Sequence, residues 1–491
     1  MFGENEVNDY HLLKYSLLDD FFKYFSSINI FGVPLSHCLA GQFLLPHIQP
    51  FVDSNLINHS LLAILRKQNR FLKMSDIYQE LGKEVKIPAV KLKTNRKAIL
   101  LSDEYSAFAS DQLREFDVTL YGVVSKPQVG IKPPNFKHYY FKNVLMKVNN
   151  QVVNKQQKLL GLQIEEALKL VPTHYYLSSQ HFRQWLLKAY KGVIKWVYML
   201  DQLILKSKPA IIISPSEASI FGAILGLLAK KYKIPFVNMP LVLIGDQPLI
   251  PSRADYYFVW GDNQKKFLQS RNICETKIIK TGNVKFYYER KPAVLTKDAF
   301  MKAWEIPENH KVVGFTTQPF PNTNDQIERW IDSVPKNLPV SFIVKKHRAD
   351  QHEYSIIQNK ENVKFVPADY PLYEFLHHLD ALLTISSNTA IEAALLNKPL
   401  FILQPNIPYH YKLSHNKLNS HLVQAEAGET ILDANSLKEN LNLLASDYEF
   451  VANLEKKAQA FLSHSLSAYE ESPVIVKSIL QEIIDKDSKN V

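Results

Sequence analysis

Cysteine is scarce in this sequence. The 491 residues include two cysteines, Cys38 and Cys274, which lie far apart along the chain. A secreted protein of this size usually carries more cysteines at spacings that allow pairing. We therefore expect a cytoplasmic, reducing environment and two free thiols. No group of cysteines and histidines has the spacing of metal ligands, so we expect no bound metal.

Long apolar runs are also missing. The most apolar stretch, 210–229, is interrupted by Ser214, Pro215, Ser216 and Glu217. This interruption argues against a membrane-spanning helix and favours a buried strand followed by a buried helix. The first residues are acidic and no apolar segment follows them, so the sequence predicts no signal peptide.

The chain is long and basic. A single hydrophobic core stops growing at roughly 250–300 residues, so we expect two large domains with an appendage. The net charge is +10, with ten Lys and Arg against three Asp and Glu between residues 60 and 100. The charge allows nucleic acid, anionic lipid or a phosphorylated substrate as partner, or simply a solvated basic face. Because no nucleic-acid-binding motif accompanies it, we expect no nucleic acid.

Residues 1–92 have a helical pattern. Leu13, Leu17, Phe21 and Phe25 recur at helical spacing and form an apolar stripe. Such a stripe usually packs on a neighbouring domain. Because the basic run follows it closely, peripheral contact with the inner membrane surface is the alternative. We treat these residues as an N-terminal helical extension.

Residues 93–290 alternate between strand and helix patterns, which predicts a parallel sheet with right-handed crossovers. The predicted strands are 98–101, 117–123, 210–213, 235–238, 256–260 and 277–280, and the predicted helices are 155–170, 180–205, 218–232 and 263–270. Periodicity is then lost over 290–307, where we expect a linker.

The alternation returns over 308–435, and a helical tail follows over 436–491. The predicted strands are 312–317, 340–345, 362–366, 381–385 and 399–403, and the predicted helices are 325–331, 372–379 and 389–396. The predicted fold class is therefore α/β, with two Rossmann-like domains facing across a cleft and an N-terminal helical extension.

Three strand ends in the second domain carry polar groups. Ser386, Ser387, Asn388 and Thr389 follow a buried strand and open a helix, whose N–H groups and dipole suit a phosphate. Glu392, three residues after Thr389, either completes a capping box or accepts ribose hydroxyls. An ordinary strand-to-helix turn explains the same pattern.

The other two strand ends are basic and polar. Lys345, Lys346, His347 and Arg348 end one strand, and the group Thr316, Thr317 and Gln318 ends another. Open α/β sheets bind ligands at the carboxyl ends of their strands, so these groups are expected to meet along one edge. A surface basic cluster is the simpler alternative for 345–348.

The order of these motifs resembles GT-B capsule and surface-polysaccharide biosynthesis proteins. It combines Trp260-Gly261, Thr281-Gly282-Asn283, the Thr-Thr-Gln-Pro and Lys-X-His strand ends, the segment 370–376 and the Ser-Ser-Asn-Thr-Ala-Ile-Glu-Ala turn. More distant similarity extends to bacterial sialyl- and Kdo-transferases, CDP-glycerol glycerophosphotransferases and the UDP-GlcNAc 2-epimerase fold. The resemblance covers roughly 97–405.

The resemblance implies a metal-independent glycosyltransferase acting on a growing surface or capsular polysaccharide or a lipid-linked glycan. The nucleotide-sugar donor would be a substrate, with no cofactor, and would bind mainly to the C-terminal domain. His347 would contact the donor phosphate. Two positions depart from the family pattern: Arg348 replaces the proline of a His-Pro pair, and Asn238-Met239-Pro240 replaces a His-Gly.

Sugar transfer also needs a base for the acceptor hydroxyl. Asp103, Glu104 and Glu217 each follow a predicted strand of the first domain and are the candidates. Solvated loop acids or helix-start acids would give the same pattern. A sugar-nucleotide epimerase of the same fold and a non-catalytic scaffold in polysaccharide assembly are the rival functions.

Overall fold

The computed structural model describes residues 5–124, 134–145, 148, 150–246, 248–407 and 421–487. The chain divides into two compact units. The N-terminal unit contains Asn5–Val259, Leu268–Lys285 and the residues from Glu470 onward. The C-terminal unit contains Trp260–Phe267 and Phe286–Tyr469.

The N-terminal extension consists of short helices and a two-stranded hairpin. Its elements are α1 (Asp9–Phe25), β1 (Asn29–Ile30), β2 (Val33–Pro34), α2 (Leu35–Gln42), a π-helix (Phe43–His47), α3 (Gln49–Asn55), α4 (His59–Asn69) and α5 (Met74–Leu81). The side chain of Asn8 accepts the N–H of His11 and so caps α1 at its start.

A parallel seven-stranded sheet lies in the N-terminal unit, in the order β5-β4-β3-β6-β7-β8-β9. The elements in this stretch are β3 (Asn95–Ser102), α6 (Ser106–Gln112), β4 (Asp117–Gly122), β5 (Lys137–Tyr140), α7 (Phe141–Leu145), α8 (Asn150–Lys169), α9 (Gln180–Ser207), β6 (Pro209–Ser214), α10 (Ile220–Tyr232), β7 (Phe236–Asn238), β8 (Tyr256–Val259), α11 (Asp262–Ser270), β9 (Ile278–Lys280) and α12 (Val284–Glu289). Every residue of β6 is buried, as the apolar run 210–213 predicts.

The apolar stripe of α1 lies inside this unit. Leu13, Leu17, Phe21 and Phe25 are all 0% exposed. The ring of Phe21 lies 4.5 Å from that of Phe43. The stripe therefore packs on protein, and its four side chains are not available to a membrane surface. Within the described ranges, no helix combines the length and apolar character needed to cross a membrane.

The C-terminal unit contains a parallel six-stranded sheet in the order β12-β11-β10-β13-β14-β15. The remaining elements are α13 (Lys297–Ala303), β10 (Lys311–Thr316), α14 (Pro321–Asp332), β11 (Val340–Lys345), β12 (Val363–Val366), α15 (Leu372–His377), β13 (Ala381–Thr384), α16 (Thr389–Ala394), β14 (Leu400–Leu403), α17 (His421–Gln424), β15 (Glu429–Ile431), α18 (Ala434–Ser446), α19 (Tyr448–Ser465) and α20 (Ser472–Asp487). The predicted tail is thus divided: α18 and α19 belong to this unit, whereas α20 belongs to the N-terminal unit.

The core of the C-terminal unit fills one face of its sheet. Phe315, Phe342 and Leu383 from three neighbouring strands pack with Trp330 of α14 and Leu441 of α18. The middle parts of these strands are mostly apolar because both faces of the sheet are covered. The rigid strands fix where their polar carboxyl ends lie.

The segment 290–307 differs from the expected linker. It contains α13, and its Phe300 ring stacks 4.3 Å from the ring of His378. The carboxylate of Glu374 accepts the N–H groups of Val294 and Leu295 at 2.6 and 3.0 Å. These contacts hold the segment onto the C-terminal unit.

Candidate functional site

Each sheet reverses its strand order at one point. In the C-terminal unit, β11 and β12 extend the sheet on one side of β10, and β13 pairs with β10 on the other side. In the N-terminal unit, the same reversal falls between β3 and β6. Ligands of open α/β sheets bind outside the carboxyl ends of the strands at such switch points. The candidate residues follow the strands at both switch points.

Hydroxyl groups connect the two strands of the C-terminal switch point. Oγ1 of Thr316, the last residue of β10, lies 3.3 Å from Oγ1 of Thr384 and 3.1 Å from Oγ1 of Thr389. The side chain of Ser387 accepts the N–H of Thr389 at 3.2 Å. Residues 386–389 are half-buried. The ends of β10 and β13 are therefore tied together by side chains at the predicted position.

The helix after β13 begins one residue earlier than a capping box with Glu392 requires. Asn388 is the N-cap residue and Thr389 is the first helical residue, so Glu392 lies in the first turn but four residues after the cap instead of three. Glu392 is 5% exposed. Burial, followed by the nearby Glu392 charge, raises the pKa of the Tyr373 phenol well above its usual value.

The loop after β11 presents two groups to solvent. His347 and Arg348 are exposed. The Nδ1 atom of His347 accepts the N–H of Ala349 at 3.1 Å. In the neutral ring, this bond leaves the proton on Nε2, where it is available to a ligand as a hydrogen-bond donor. The guanidinium of Arg348 adds planar donors suited to phosphate oxygens.

The two preceding lysines face protein atoms, which corrects their predicted role. The Lys345 ammonium donates to the carbonyl of Tyr370 at 2.6 Å. The Lys346 ammonium donates to the carbonyl of His352 at 2.5 Å and lies over the Tyr354 ring. Burial lowers the pKa of Lys345. Both lysines contribute positive charge near the site, and both hold the chain around it.

Asp350 is a member of this site that the sequence does not single out. It is 8% exposed. Its carboxylate accepts hydrogen bonds from Thr317 at 2.6 Å, Asn324 at 2.9 Å, Tyr354 at 2.9 Å and the N–H of His352 at 3.0 Å. We call Asp350 and these four partners the Asp350 cluster. Its donors come from four separate positions of the chain, so no local pattern reveals it.

Thr317 therefore differs from its predicted role as a contact to the nucleotide-sugar donor, whereas Gln318 does not. Thr317 is 3% exposed, and its hydroxyl is used within the Asp350 cluster. The carbonyl of Gln318 accepts the side-chain amide of Asn324 at 2.7 Å, and Gln318 itself is half-buried. Thr317 is thus placed to hold the loop, and Gln318 remains a candidate contact.

The N-terminal switch point carries two of the predicted acids. Asp103 and Glu104 form a 3-10 turn directly after β3. Asp103 is 8% exposed and lies against the end of β4, where a Cβ on Gly122 would fall 2.4 Å from its Oδ2 atom. Gly122 therefore makes room for this carboxylate. Glu104 is exposed.

Glu217 has a different setting. It is 1% exposed, and its carboxylate accepts the N–H groups of Arg253 and Ala254 at 2.6 and 2.7 Å. It also accepts the hydroxyl of Tyr257 at 2.9 Å. Burial raises the pKa of Glu217 to about 7, although these donors favour the charged form. A buried carboxylate held by three donors fixes the loop before β8, and we no longer assign it the role of base.

One group of side chains has the composition of a metal site. Asp325, Glu328 and His352 place ligand atoms within 4.8 Å of one another. The Nε2 atom of His352 lies 2.6 Å from Glu328, and the other Glu328 oxygen accepts the N–H groups of Ile356 and Ile357. Because these bonds already account for the Glu328 carboxylate, we read the group as structural.

Comparison with known proteins shows the fold. No protein-family model matches the chain, and no curated protein matches its sequence. UDP-GlcNAc 2-epimerase from Neisseria meningitidis, bound to UDP-GlcNAc, is 15% identical, covers 78% of this chain and 100% of its own, and has a TM-score of 0.51. MnaA of S. aureus with UDP is 14% identical over 78% of this chain and 96% of its own, with a TM-score of 0.48. The wall teichoic acid polymerase TagF is 12% identical, covers 88% of this chain and 98% of its own, and has a TM-score of 0.45.

The first of these similarities, together with the two parallel sheets, establishes the fold class. The chain has two Rossmann-like domains of the GT-B type. At this level of identity the likeness concerns the fold alone, because one fold hosts many functions.

Proposed function

We propose that the protein is a glycosyltransferase that moves a sugar from a nucleotide-sugar donor to a surface or capsular polysaccharide or a lipid-linked glycan. The observation that carries this proposal is the meeting of the β10, β11 and β13 ends at the switch point of the C-terminal sheet. Hydroxyls, an imidazole donor and a guanidinium follow these three strands. This combination suits the diphosphate of a nucleotide sugar.

In the proposed reaction, bond cleavage leaves negative charge on the nucleotide phosphate. The Nε2–H of His347 and the guanidinium of Arg348 would stabilise that charge, with the hydroxyls of Ser387 and Thr389 beside them. Glu392 would accept hydroxyl groups of the bound donor. These groups can supply the electrostatic stabilisation without a metal ion, and no cofactor is proposed.

We assign the acceptor to the N-terminal unit. Asp103 and Glu104 follow β3 at the switch point of that sheet and are the proposed bases for the acceptor hydroxyl. Asp103 is held within the fold beside Gly122, whereas Glu104 is open to solvent. Contact of the protein with the cytoplasmic membrane face, where a lipid-linked acceptor would lie, is part of this proposal.

A sugar-nucleotide epimerase is the second candidate. The observation that favours it is the similarity in fold to a 2-epimerase that is bound to UDP-GlcNAc. Such an enzyme would use the same phosphate-binding edge and would need no acceptor. The two reactions therefore differ in their products and in whether an acceptor is required.

One assay separates these functions. The purified protein is incubated with UDP-, CDP-, GDP- and CMP-linked sugars, with and without glycan acceptors, and the products are followed by NMR and chromatography. A glycosyltransferase releases nucleotide in step with sugar appearing on the acceptor. An isomerised sugar nucleotide formed without acceptor would identify an epimerase. If no donor is converted and none shifts the melting temperature, a scaffold role replaces both.

A further inference from the structure

We propose that Asp350 is a positioning residue of the nucleotide site, which acts through Thr317 on the loop that carries His347. This inference rests on the proposed function, because it assigns a role in nucleotide binding. It concerns two buried residues whose side chains hydrogen-bond to groups of the protein: Asp350 is 8% exposed and Thr317 is 3% exposed.

Asp350 lies three residues after His347 in the same loop, where its N–H donates to the His347 carbonyl at 2.9 Å. Two further hydrogen bonds in series connect its carboxylate through Thr317 to the His347 N–H. The Thr317 hydroxyl donates to Asp350 Oδ2 at 2.6 Å, and the Thr317 oxygen accepts the N–H of His347 at 2.9 Å. The N–H of Thr317 donates to the carbonyl of Lys345 at 3.2 Å, which adds a backbone bond to the same loop. The end of β10 and the loop after β11 are therefore joined at the level of His347.

The carboxylate sets the direction of this relay. A hydroxyl carries one proton, and a buried carboxylate can only accept. Thr317 must therefore give its proton to Asp350, which leaves its lone pairs for the His347 N–H. A neutral amide at position 350 can donate to Thr317 instead, and the hydroxyl proton is then free to face the His347 N–H.

The other bonds of the Asp350 cluster explain why the carboxylate stays in place. Asn324, Tyr354 and the N–H of His352 occupy its remaining acceptor positions. A buried charge is tolerated when donors replace its lost hydration. The Asp350 carboxylate therefore ties the loop after β11 to Thr317, next to the end of β10, and to Asn324 of α14.

A matched pair of threonines tests this role. Thr323 is as buried as Thr317, at 1% exposure, and its hydroxyl donates to the carbonyl of Asn406 at 2.7 Å. Thr317→Val and Thr323→Val each remove one buried hydroxyl donor from the same unit. Thr317→Ser restores the donor at position 317. Asp350→Asn keeps the shape of the side chain and removes the fixed direction of the relay.

The first readout is hydrogen–deuterium exchange of peptides covering 345–350, which needs no ligand. Thr317→Val and Asp350→Asn should speed exchange at these residues by about tenfold, on the scale of one buried hydrogen bond of about 1.5 kcal/mol. Thr317→Ser and Thr323→Val should leave it within about twofold of the parent. Unchanged exchange in Thr317→Val and Asp350→Asn would overturn the positioning role.

The second readout is the affinity for UDP, CDP and GDP, measured by calorimetry on the full chain. Thr317→Val should weaken the parent's preferred nucleotide by about tenfold, and Thr317→Ser should recover it. Equal affinity of the parent and Thr317→Val overturns the inference while the proposed function stands. If the parent binds none of the three nucleotides, both the proposed function and the role of Asp350 in nucleotide binding fail. The exchange result then still decides whether the Asp350–Thr317–His347 hydrogen bonds hold the loop.

Discussion

Glu217 is a buried carboxylate whose protonation is coupled to folding. Burial raises its pKa from the usual 4.5 to about 7. Because the folded chain binds this proton more tightly than the unfolded chain, the contribution of Glu217 to stability is fully present below about pH 4.5 and is lost as the pH rises through 7. The ionisation of Glu217 therefore contributes a lower free energy of unfolding at neutral pH than in mild acid.

Glu217→Gln should remove that part of the pH dependence. The amide oxygen of glutamine can accept both N–H groups of Arg253 and Ala254, and its NH2 can donate to Tyr257, so the fold should persist. Urea unfolding at pH 4.5, 5.5, 6.5 and 7.5 should show a smaller loss of free energy in the variant than in the parent. Glu165→Gln, at a half-buried glutamate paired with Arg183, controls for the loss of one acid. Parallel curves for parent and Glu217→Gln would refute the assignment.

At the scale of elements, β10 packs closely against α15 and the residues that follow it. A Cβ on Gly314 would lie 2.3 Å from Leu379 Cδ1 and 2.9 Å from the Phe375 ring. Because Gly314 has no side chain, α15 and the residues after it can approach β10 this closely. β10 ends at Thr316, two residues after Gly314. The packing of Gly314 against Leu379 and Phe375 therefore also helps to fix the position of the strand end at the candidate site.

Gly314→Ala should lower the free energy of unfolding by about 1–3 kcal/mol, the usual cost of overpacking a core. Denaturant unfolding measures this change. Gly192→Ala is the matched control, because no atom lies within 4 Å of the added Cβ and the position is inside α9. There alanine should stabilise by roughly 0.5–1 kcal/mol. A Gly314→Ala variant as stable as the parent would contradict the described packing of α15.

The elements that position the site could be predicted from the sequence because they are buried on both faces. The apolar runs at 340–345 and 381–385 coincide with β11 and β13 to within a residue. Besides the two-residue strands β1 and β2 of the extension, the strands that the sequence does not predict are β5 (Lys-His-Tyr-Tyr) and β15 (Glu-Thr-Ile), each of which is an edge strand of its sheet. An edge strand is covered less completely, so it needs no apolar run.

Side-chain direction at the site could not be predicted in the same way. Parallel topology alone brings the ends of β10, β11 and β13 to one edge. Whether Lys345 and Lys346 face a ligand or a carbonyl depends on how the backbone of residues 352 and 370 folds back onto them, 6 and 25 residues further along the chain. Asp350 is not revealed by a local pattern because its donors Thr317 and Asn324 precede it by 33 and 26 residues.

At the scale of the whole molecule, the N-terminal extension is part of the N-terminal unit. The Phe21 ring contacts the rings of Phe43, Phe182 and Trp185, two of which belong to α9. Phe21→Ala should therefore lower the free energy of unfolding by about 3–5 kcal/mol. Leu72→Ala, at a side chain 77% exposed, should change it by less than about 0.5 kcal/mol. Thermal and denaturant unfolding of both variants checks this, and a mild effect of Phe21→Ala would show that the extension folds separately.

The central claim is that a nucleoside diphosphate binds at the carboxyl edge of the C-terminal sheet. Arg348→Ala removes an exposed guanidinium at that edge, and Arg329→Ala removes an equally exposed one from the last turn of α14. The most direct test is the calorimetric affinity of the parent and both variants for UDP, CDP and GDP at one salt concentration. We expect Arg348→Ala to weaken the preferred nucleotide by about 10- to 100-fold, as for a lost charged hydrogen bond of about 1.5–3 kcal/mol, with Arg329→Ala binding like the parent. Equal losses in the two variants, or a parent that binds none of the three, would contradict the account.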